Sequence, residues 1–167
     1  IDKVRPFFNH PGFVQPFIEG VRDAIAAAEA DGIDRGALEV LFCTHSIPTL
    51  DAELSGGGGA YPAQHRSVAE YVMAQAAPEV AWQLVYQSRS GPPSQPWLEP
   101  DVNDAIQELH GRRGVILVPL GFVSDHMEVM WDLDTEAVET ATEAGLWVRR
   151  TPTPGVHPAF VDALADL

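Results

Sequence analysis

The chain has 167 residues, of which 46% are hydrophobic and 8% aromatic, so it holds enough apolar material for one domain with a buried core. Its 24 acidic and 10 basic residues give a formal net charge of −14, which repels a phosphate backbone and argues against a nucleic-acid partner. No apolar run reaches about 18 residues, so no transmembrane segment is expected, and the one cysteine, Cys43, excludes an internal disulfide framework and fits a cytoplasmic location.

Helical and strand patterns alternate along the chain. In order, they predict a helix over 12–31, a strand over 37–44, a loop over 46–60, a helix over 62–77, a strand over 80–87, a short helix capped by Asp101, a strand over 114–119, a helix over 125–144, a strand over 146–150 and a last helix to Leu167. Strands separated by helices imply right-handed crossovers and a parallel sheet. The sequence therefore predicts a single α/β domain over 1–167, with a doubly wound, four-stranded parallel sheet flanked by helices.

The predicted helix over 125–144 carries an acidic and an apolar pattern. Glu128, Asp132 and Glu136 follow at intervals of four residues, which places them on one helix face although like charges there repel by roughly 0.2–0.5 kcal/mol per pair. This ladder is either a solvated acidic face or a path for cations or protons. We expect Ser124 to cap the helix. The stripe expected in the core consists of Met127, Met130 or Trp131, Val138 and Ala141.

Ligands of doubly wound sheets bind at the carboxyl ends of the strands, which selects the segments 44–54, 88–100 and 120–128. The first contains His45, whose imidazole suits proton transfer or metal contact, although a lone histidine at a strand end is often structural. The second contains Trp97, which either stacks on a flat ligand or covers the sheet edge. Four histidines are expected to be surface or capping residues: His10, His65, His110 and His157.

Motifs in these three segments together resemble ferrochelatase, the family of enzymes that insert ferrous iron into porphyrins in haem synthesis. The motifs are Phe42-Cys43-Thr44-His45-Ser46-Ile47-Pro48, Gln87-Ser88 with Pro96-Trp97-Leu98, and Gly121-Phe122-Val123-Ser124-Asp125-His126-Met127-Glu128, with Tyr61-Pro62 and Gln64 after the first motif. They occur in the family's order, and the last is the most specific. Cys43 and Thr44 depart from the residues that more usually precede the histidine.

The resemblance implies a catalytic site as well as a fold. Ferrochelatases have two similar Rossmann-type domains with the porphyrin in the cleft between them, and this chain resembles the second, C-terminal domain. His45 and Glu128 are the implied catalytic pair and metal ligands, and Asp132 and Glu136 are the implied further metal-handling groups. The implied porphyrin contacts are Ser88 and Trp97. Ferrous iron is the implied substrate, with coproporphyrin III as the porphyrin because the Arg-rich composition resembles actinobacterial members.

The resemblance also implies a partner and an absence. The first domain of the same enzyme would supply the other wall of the cleft, so we expect this chain, which reads as a fragment, to be inactive alone. Some members bind an iron–sulfur cluster through cysteines near the C-terminus, and with Cys43 alone no cluster is expected here. The alternative is a short chelatase of the sirohydrochlorin cobaltochelatase type, in which one domain dimerises to form the cleft. A non-enzymatic receiver module is disfavoured because the only lysine, Lys3, precedes the first strand.

Overall fold

A four-stranded parallel sheet forms the centre of the structure, a computed structural model that describes residues 3–167. Its strands are β1 (Leu38–His45), β2 (Ala81–Gln87), β3 (Gly114–Val118) and β4 (Trp147–Arg150). They lie in the order β2-β1-β3-β4, and every neighbouring pair is parallel. The predicted fold class is therefore confirmed. The inner strands β1 and β3 are buried almost throughout, which explains their continuous apolar sequences.

Helices cover both faces of this sheet. They are α1 (Pro11–Ala30), α2 (Thr49–Leu54), α3 (Ala60–Ala76), α4 (Val102–Gln107), α5 (Met127–Trp131), a π-helix (Asp132–Ala137), α6 (Val138–Glu143) and α7 (Pro158–Asp166). Helix α2 lies inside the segment predicted as a loop, because six residues are too few to show a helical period. In the part of the chain that the structure describes, no helix is both long and apolar enough to cross a bilayer.

Alternation along β1 divides the interior into two cores. Val40 and Phe42 face the core formed with α1, α3 and α7, whereas Leu41 and Cys43 face the core formed with α4 and the segment 127–143. Cys43 is fully buried there, and burial raises the pKa of its thiol. The thiol therefore stays protonated and packs as a small apolar group.

The segments α5, π-helix and α6 run without a break, and we call residues 127–143 the acidic helix. It begins later than predicted, because His126 has an extended backbone and is the N-cap residue. Ser124 therefore does not cap the helix. Asp125, between them, instead accepts a hydrogen bond at 2.9 Å from Arg150 of β4.

The buried face of the acidic helix also differs from the predicted stripe. The predicted Met127, Met130 and Trp131 are 80%, 49% and 55% exposed. The residues that are buried instead recur every four positions, whereas an α-helix has 3.6 residues per turn. This longer interval suits the wider turn of a π-helix, whose hydrogen bonds span five residues. The predicted stripe is therefore wrong at these three residues, whereas Val138 is half-buried and Ala141 is buried. The residues that are buried are Val129, Leu133, Ala137 and Ala141.

The predicted roles of the histidines are partly confirmed. His10 and His157 cap α1 and α7, since each Nδ1 accepts a hydrogen bond at 3.2 Å from the backbone N–H two residues later. His110 is exposed, as expected. His65 is different: it is half-buried on α3 and contacts Thr44 at 3.2 Å. Its assignment to the surface is therefore wrong.

Candidate active site

His45 and Glu128 meet at the carboxyl edge of the sheet. His45 is the last residue of β1, and Glu128 lies in the first turn of the acidic helix. The His45 Nε2 atom is 3.3 Å from the Glu128 Oε1 atom, and 35% and 46% of the two side chains are exposed. The fold thus brings together two groups that are far apart in the sequence and leaves both open to a ligand.

The hydrogen bond on the other side of the His45 ring fixes which nitrogen faces Glu128 with a lone pair. His45 Nδ1 lies 2.5 Å from the carbonyl oxygen of Ser46. Because a carbonyl only accepts, Nδ1 carries the hydrogen, and Nε2 of the neutral ring is an acceptor. Two acceptors at 3.3 Å repel unless a positive charge lies between them. The pair is therefore suited to hold a proton or a metal cation.

A close backbone contact sets the position of the loop that leads to Glu128. The Gly121 N–H donates to the carbonyl of Cys43 at 3.2 Å, and any side chain at position 121 would overlap Thr44. Glycine is therefore required for the loop to lie this close to β1. The contact ties the segment before the acidic helix to the strand that carries His45.

Arg150 of β4 fixes the acidic helix from the other side. Its guanidinium binds Asp125 at 2.9 Å, before the helix, and Asp134 at 2.5 Å, inside the π-helix. Burial disfavours the charged guanidinium, but the hydrogen bonds and charges of the two carboxylates outweigh it and raise the pKa of Arg150. These two ionic contacts hold the start of the acidic helix and its π-helical turn in one orientation.

The rest of the acidic ladder lines a polar cavity. The Ser88 hydroxyl donates to Asp132 Oδ2, and Gln87 Nε2 donates to the same oxygen at 3.0 Å. Ser88 has a left-handed backbone, with φ of 59°. Asp132 and Glu136 line a cavity of about 330 Å³ together with Ser88 and Asp101. Three of the predicted site residues thus line one surface: Asp132 and Glu136, one and two turns along the helix from Glu128, and Ser88, which follows β2.

Trp97 lies beside the segment that follows His45. It forms an isolated antiparallel bridge with Pro48, and the neighbouring Leu98 N–H donates to the carbonyl of Ile47 at 3.0 Å. The indole is half-buried, and its Nε1 atom is buried without a hydrogen-bond partner among residues 3–167. This position is compatible with both predicted roles, contact with a ligand and cover of the sheet edge.

The four predicted metal-handling residues do not form one closed metal site. Within residues 3–167, no three histidine, cysteine, aspartate or glutamate side chains cluster closely enough to hold a metal ion. A cation at the His45–Glu128 pair would need its remaining ligands from water or from a second molecule.

Comparison with known proteins identifies the family. The ferrochelatase family model matches residues 1–167, the whole chain. The chain belongs to the ferrochelatase family. It is 54% identical to the coproporphyrin III ferrochelatase of Leifsonia xyli and 52% identical to that of Tropheryma whipplei, and it covers 48% and 46% of these proteins. It is also 45% identical to a ferrochelatase of Rhodopirellula baltica, of which it covers 46%.

The matches differ in how much of each related protein this chain covers. The alignments include 100% of this chain, which nevertheless spans only about half the length of the curated ferrochelatases. A solved multi-domain protein of Deinococcus radiodurans, described as structurally similar to chelatases, matches 98% of this chain with a TM-score of 0.58. It is 19% identical, and this chain covers 30% of it, so the likeness shows the fold alone.

Several supporting residues of this ferrochelatase-family chain were missed by sequence reasoning. In the sequence, Arg150 is only part of a predicted strand, and Gln87 is only part of a motif. For His65 a partner at helical spacing is visible, because Tyr61 lies four residues before it and therefore on the same helix face. A signal was present at Gly121, because glycine at a predicted ligand-binding edge often marks a close backbone approach.

Proposed function

We propose that the chain is the C-terminal domain of a two-domain coproporphyrin III ferrochelatase, which inserts ferrous iron into the porphyrin. The relatives with this name support the proposal, because they match the whole chain at 52% and 54% identity and are about twice as long. The observation that carries it is the 3.3 Å approach of His45 Nε2 to Glu128 Oε1. Ferrous iron is a substrate in this proposal, not a resident cofactor.

The chemistry of insertion suits such a pair. When Fe²⁺ enters the macrocycle, two pyrrole N–H groups each release a proton, so the site must accept protons next to a cation. His45 Nε2 accepts one pyrrole proton and the Glu128 carboxylate accepts the other, and both groups pass their protons to solvent before the next turnover. Imidazole and carboxylate are also suitable ligands for ferrous iron. Asp132 and Glu136 extend the pair, either as an exit for protons or as an entry for iron.

Exposed apolar groups in the segment that leads to Glu128 support a flat, apolar ligand. Val123 and Met127, on either side of the turn that leads to Glu128, are 46% and 80% exposed. A porphyrin lying over His45 and Glu128 would cover such side chains and gain about 25 cal/mol for each Å² removed from water. We propose Trp97 and Ser88 as further porphyrin contacts. For Ser88, the hydrogen bond to Asp132 also favours a role in orienting the ladder.

The other wall of the cleft is proposed to come from the N-terminal domain of the same enzyme. Pyrrole nitrogens point into the ring, and bending the macrocycle exposes them at a cost supplied by binding energy. One open surface cannot apply this strain, so we expect no useful turnover by the chain alone. The proposal places the reaction in the cytoplasm, since a chain with one cysteine fits a reducing compartment, and it involves no iron–sulfur cluster on this chain.

The test is iron-dependent loss of porphyrin fluorescence under anaerobic conditions. It compares the 167-residue chain with a two-domain protein in which the N-terminal half of the Leifsonia xyli relative precedes it. Glu128→Gln in the two-domain protein should lower kcat by about 10²- to 10⁴-fold, because the amide neither accepts a proton nor stabilises a cation. Glu139→Gln, an exposed position on the same helix, is the control. A Glu128→Gln rate within twofold of the parent would refute the proposed pair.

The short homodimeric chelatase remains the competing hypothesis. It predicts that the chain alone forms a symmetric dimer with activity, whereas the two-domain proposal predicts neither. Sedimentation velocity together with the fluorescence assay on the same sample separates the two. The double length of the curated relatives favours the two-domain arrangement.

A further inference from the structure

A second layer of side chains lies directly behind His45. The Tyr61 hydroxyl of α3 donates to the carbonyl oxygen of His45 at 2.8 Å and lies 3.0 Å from Thr44 Oγ1. Thr44 Oγ1 is 3.2 Å from His65 Nε2, and His65 Nδ1 lies 2.8 Å from the carbonyl oxygen of Tyr61. The Tyr61 and His65 rings pack with their centroids 4.6 Å apart. These three side chains are in contact with one another at the end of β1.

Counting hydrogens gives the direction of these bonds. His65 Nδ1 faces a carbonyl and must donate, so Nε2 of the neutral ring accepts from the Thr44 hydroxyl. Burial lowers the pKa of His65, which keeps the ring neutral near pH 7. Burial likewise raises the pKa of Tyr61, although the neighbouring Thr44 hydroxyl opposes this, so the phenol keeps its hydrogen. That single hydrogen is directed to the His45 carbonyl, and because the Thr44 hydrogen goes to His65, the Tyr61 and Thr44 oxygens are in contact without a hydrogen between them.

The position of this carbonyl in the sheet explains why it needs such a donor. Strand β3 pairs with β1 only as far as Phe42, whereas β2 continues beside β1 to His45. Because peptide groups alternate along a strand, the carbonyls of Cys43 and His45 both point to the edge where β3 has ended. Gly121 supplies the donor for Cys43, and Tyr61 supplies the donor for His45.

Tyr61 therefore completes a clamp on one peptide plane. The peptide that joins His45 to Ser46 is bound at its carbonyl by Tyr61 at 2.8 Å and at its N–H by the carbonyl of Gln87 at 2.8 Å. The next carbonyl, that of Ser46, is the group that receives His45 Nδ1–H. Rotation of this peptide would move the Ser46 carbonyl relative to the His45 ring, and the ring would then no longer prefer the tautomer with its hydrogen on Nδ1.

We propose that Tyr61 is a positioning residue for His45: packed against His65, it takes the place of a neighbouring strand at the open edge of β1 and keeps the lone pair of His45 Nε2 directed at Glu128. This inference rests on the proposed function for its consequence in catalysis. Its structural content, the tautomer and orientation of one imidazole, is measurable without any turnover.

The decisive experiment is ¹⁵N NMR of the histidine rings in the 167-residue chain at a pH where they are neutral, with His45 assigned from a His45→Gln variant. The parent should show His45 with its hydrogen on Nδ1. Tyr61→Phe, which removes only the hydroxyl, should shift the tautomer ratio toward Nε2–H by roughly two- to tenfold, the equivalent of one neutral hydrogen bond. Tyr71→Phe, an exposed tyrosine of the same helix, should leave it unchanged.

His65→Ala provides a second route if Tyr61→Phe does not fold, because it removes the ring that packs against Tyr61 with the centroids 4.6 Å apart. It should shift the same signal in the same direction by a smaller factor. An unchanged His45 tautomer in the folded variants would overturn the proposal.

Activity in the two-domain protein separates this inference from the proposed function. Tyr61→Phe should lower kcat and leave the KM for porphyrin within about twofold, since Tyr61 contacts the backbone behind His45. A tautomer shift with no iron insertion by the parent would refute the proposed function and leave the positioning role supported. A tautomer shift with unchanged kcat in an active enzyme would overturn the catalytic part of the inference.

Discussion

Replacing Gly121 by alanine tests whether close packing of two loops sets the geometry of the candidate site. A β-carbon at position 121 would lie 2.9 Å from Thr44 Cβ and 3.0 Å from Thr44 Cα, and still closer to Oγ1. Since one of these atoms belongs to the backbone, a rotamer change cannot remove the overlap, and the loop must move away from β1. Overpacking of this kind costs about 1–3 kcal/mol.

For a domain of this size, such a cost lowers Tm by about 2–4 °C per kcal/mol, so Gly121→Ala should unfold about 2–12 °C earlier in a thermal scan of the 167-residue chain. Gly57→Ala is the matched control, because a β-carbon there meets no atom within 4 Å. Thr44→Ala should partly offset the loss, since it removes the Oγ1 overlap but leaves Cα and Cβ in place. A Gly121→Ala Tm within 1 °C of the parent, or strictly additive effects in the double-mutant cycle, would refute the packing argument.

Three further predictions concern the acidic helix and the second layer. Leu133→Ala should cost about 2–5 kcal/mol in urea unfolding, because Leu133 is fully buried at the π-helical turn, while Met130→Ala, 49% exposed, should change stability by less than about 0.5 kcal/mol; equal effects would contradict the observed burial. Ser88→Ala and Ser88→Gly should lower turnover of the two-domain protein alike, since both lose the hydroxyl that donates to Asp132. The glycine variant should nevertheless be about 1 kcal/mol more stable than the alanine variant, because residue 88 has a left-handed backbone. Burial lowers the pKa of His65 below its ordinary 6.5, so the unfolded chain binds a proton more readily than the folded chain, and the free energy of unfolding falls as pH drops below about 6.5. The urea midpoints at pH 7.5 and 5.5 should therefore differ less in His65→Gln than in the parent. An equal difference in the two proteins would show that His65 does not cause the pH dependence.

The acidic helix shows how one local feature serves both core and site. Its buried residues recur at intervals of four, and the acidic residues Glu128, Asp132 and Glu136 each immediately precede one of them. The π-helical turn lets both sets keep this spacing on two adjacent faces. The ladder is visible in the sequence, but a 3.6-residue period does not select the apolar residues that share its four-residue interval.

The sequence by itself predicts the edge at which a ligand would bind, and it determined the order of the strands, the order of the helices other than α2, and the parallel sheet. Those features depend on local periodicity and on the alternation of strands with helices, both of which are written in neighbouring residues. The motifs also singled out His45 and Glu128, though their catalytic roles remain proposals. Only the tertiary structure decided that these side chains lie 3.3 Å apart.

The supporting contacts likewise needed the folded chain, because each joins elements that are distant in sequence. Gly121 packs on Thr44 because β3 ends before β1, and Tyr61 reaches the same edge from α3. Arg150 binds two carboxylates from β4. The residue pattern of one segment cannot show which backbone groups of another segment lack a hydrogen-bond partner. That depends on where each strand ends relative to its neighbours.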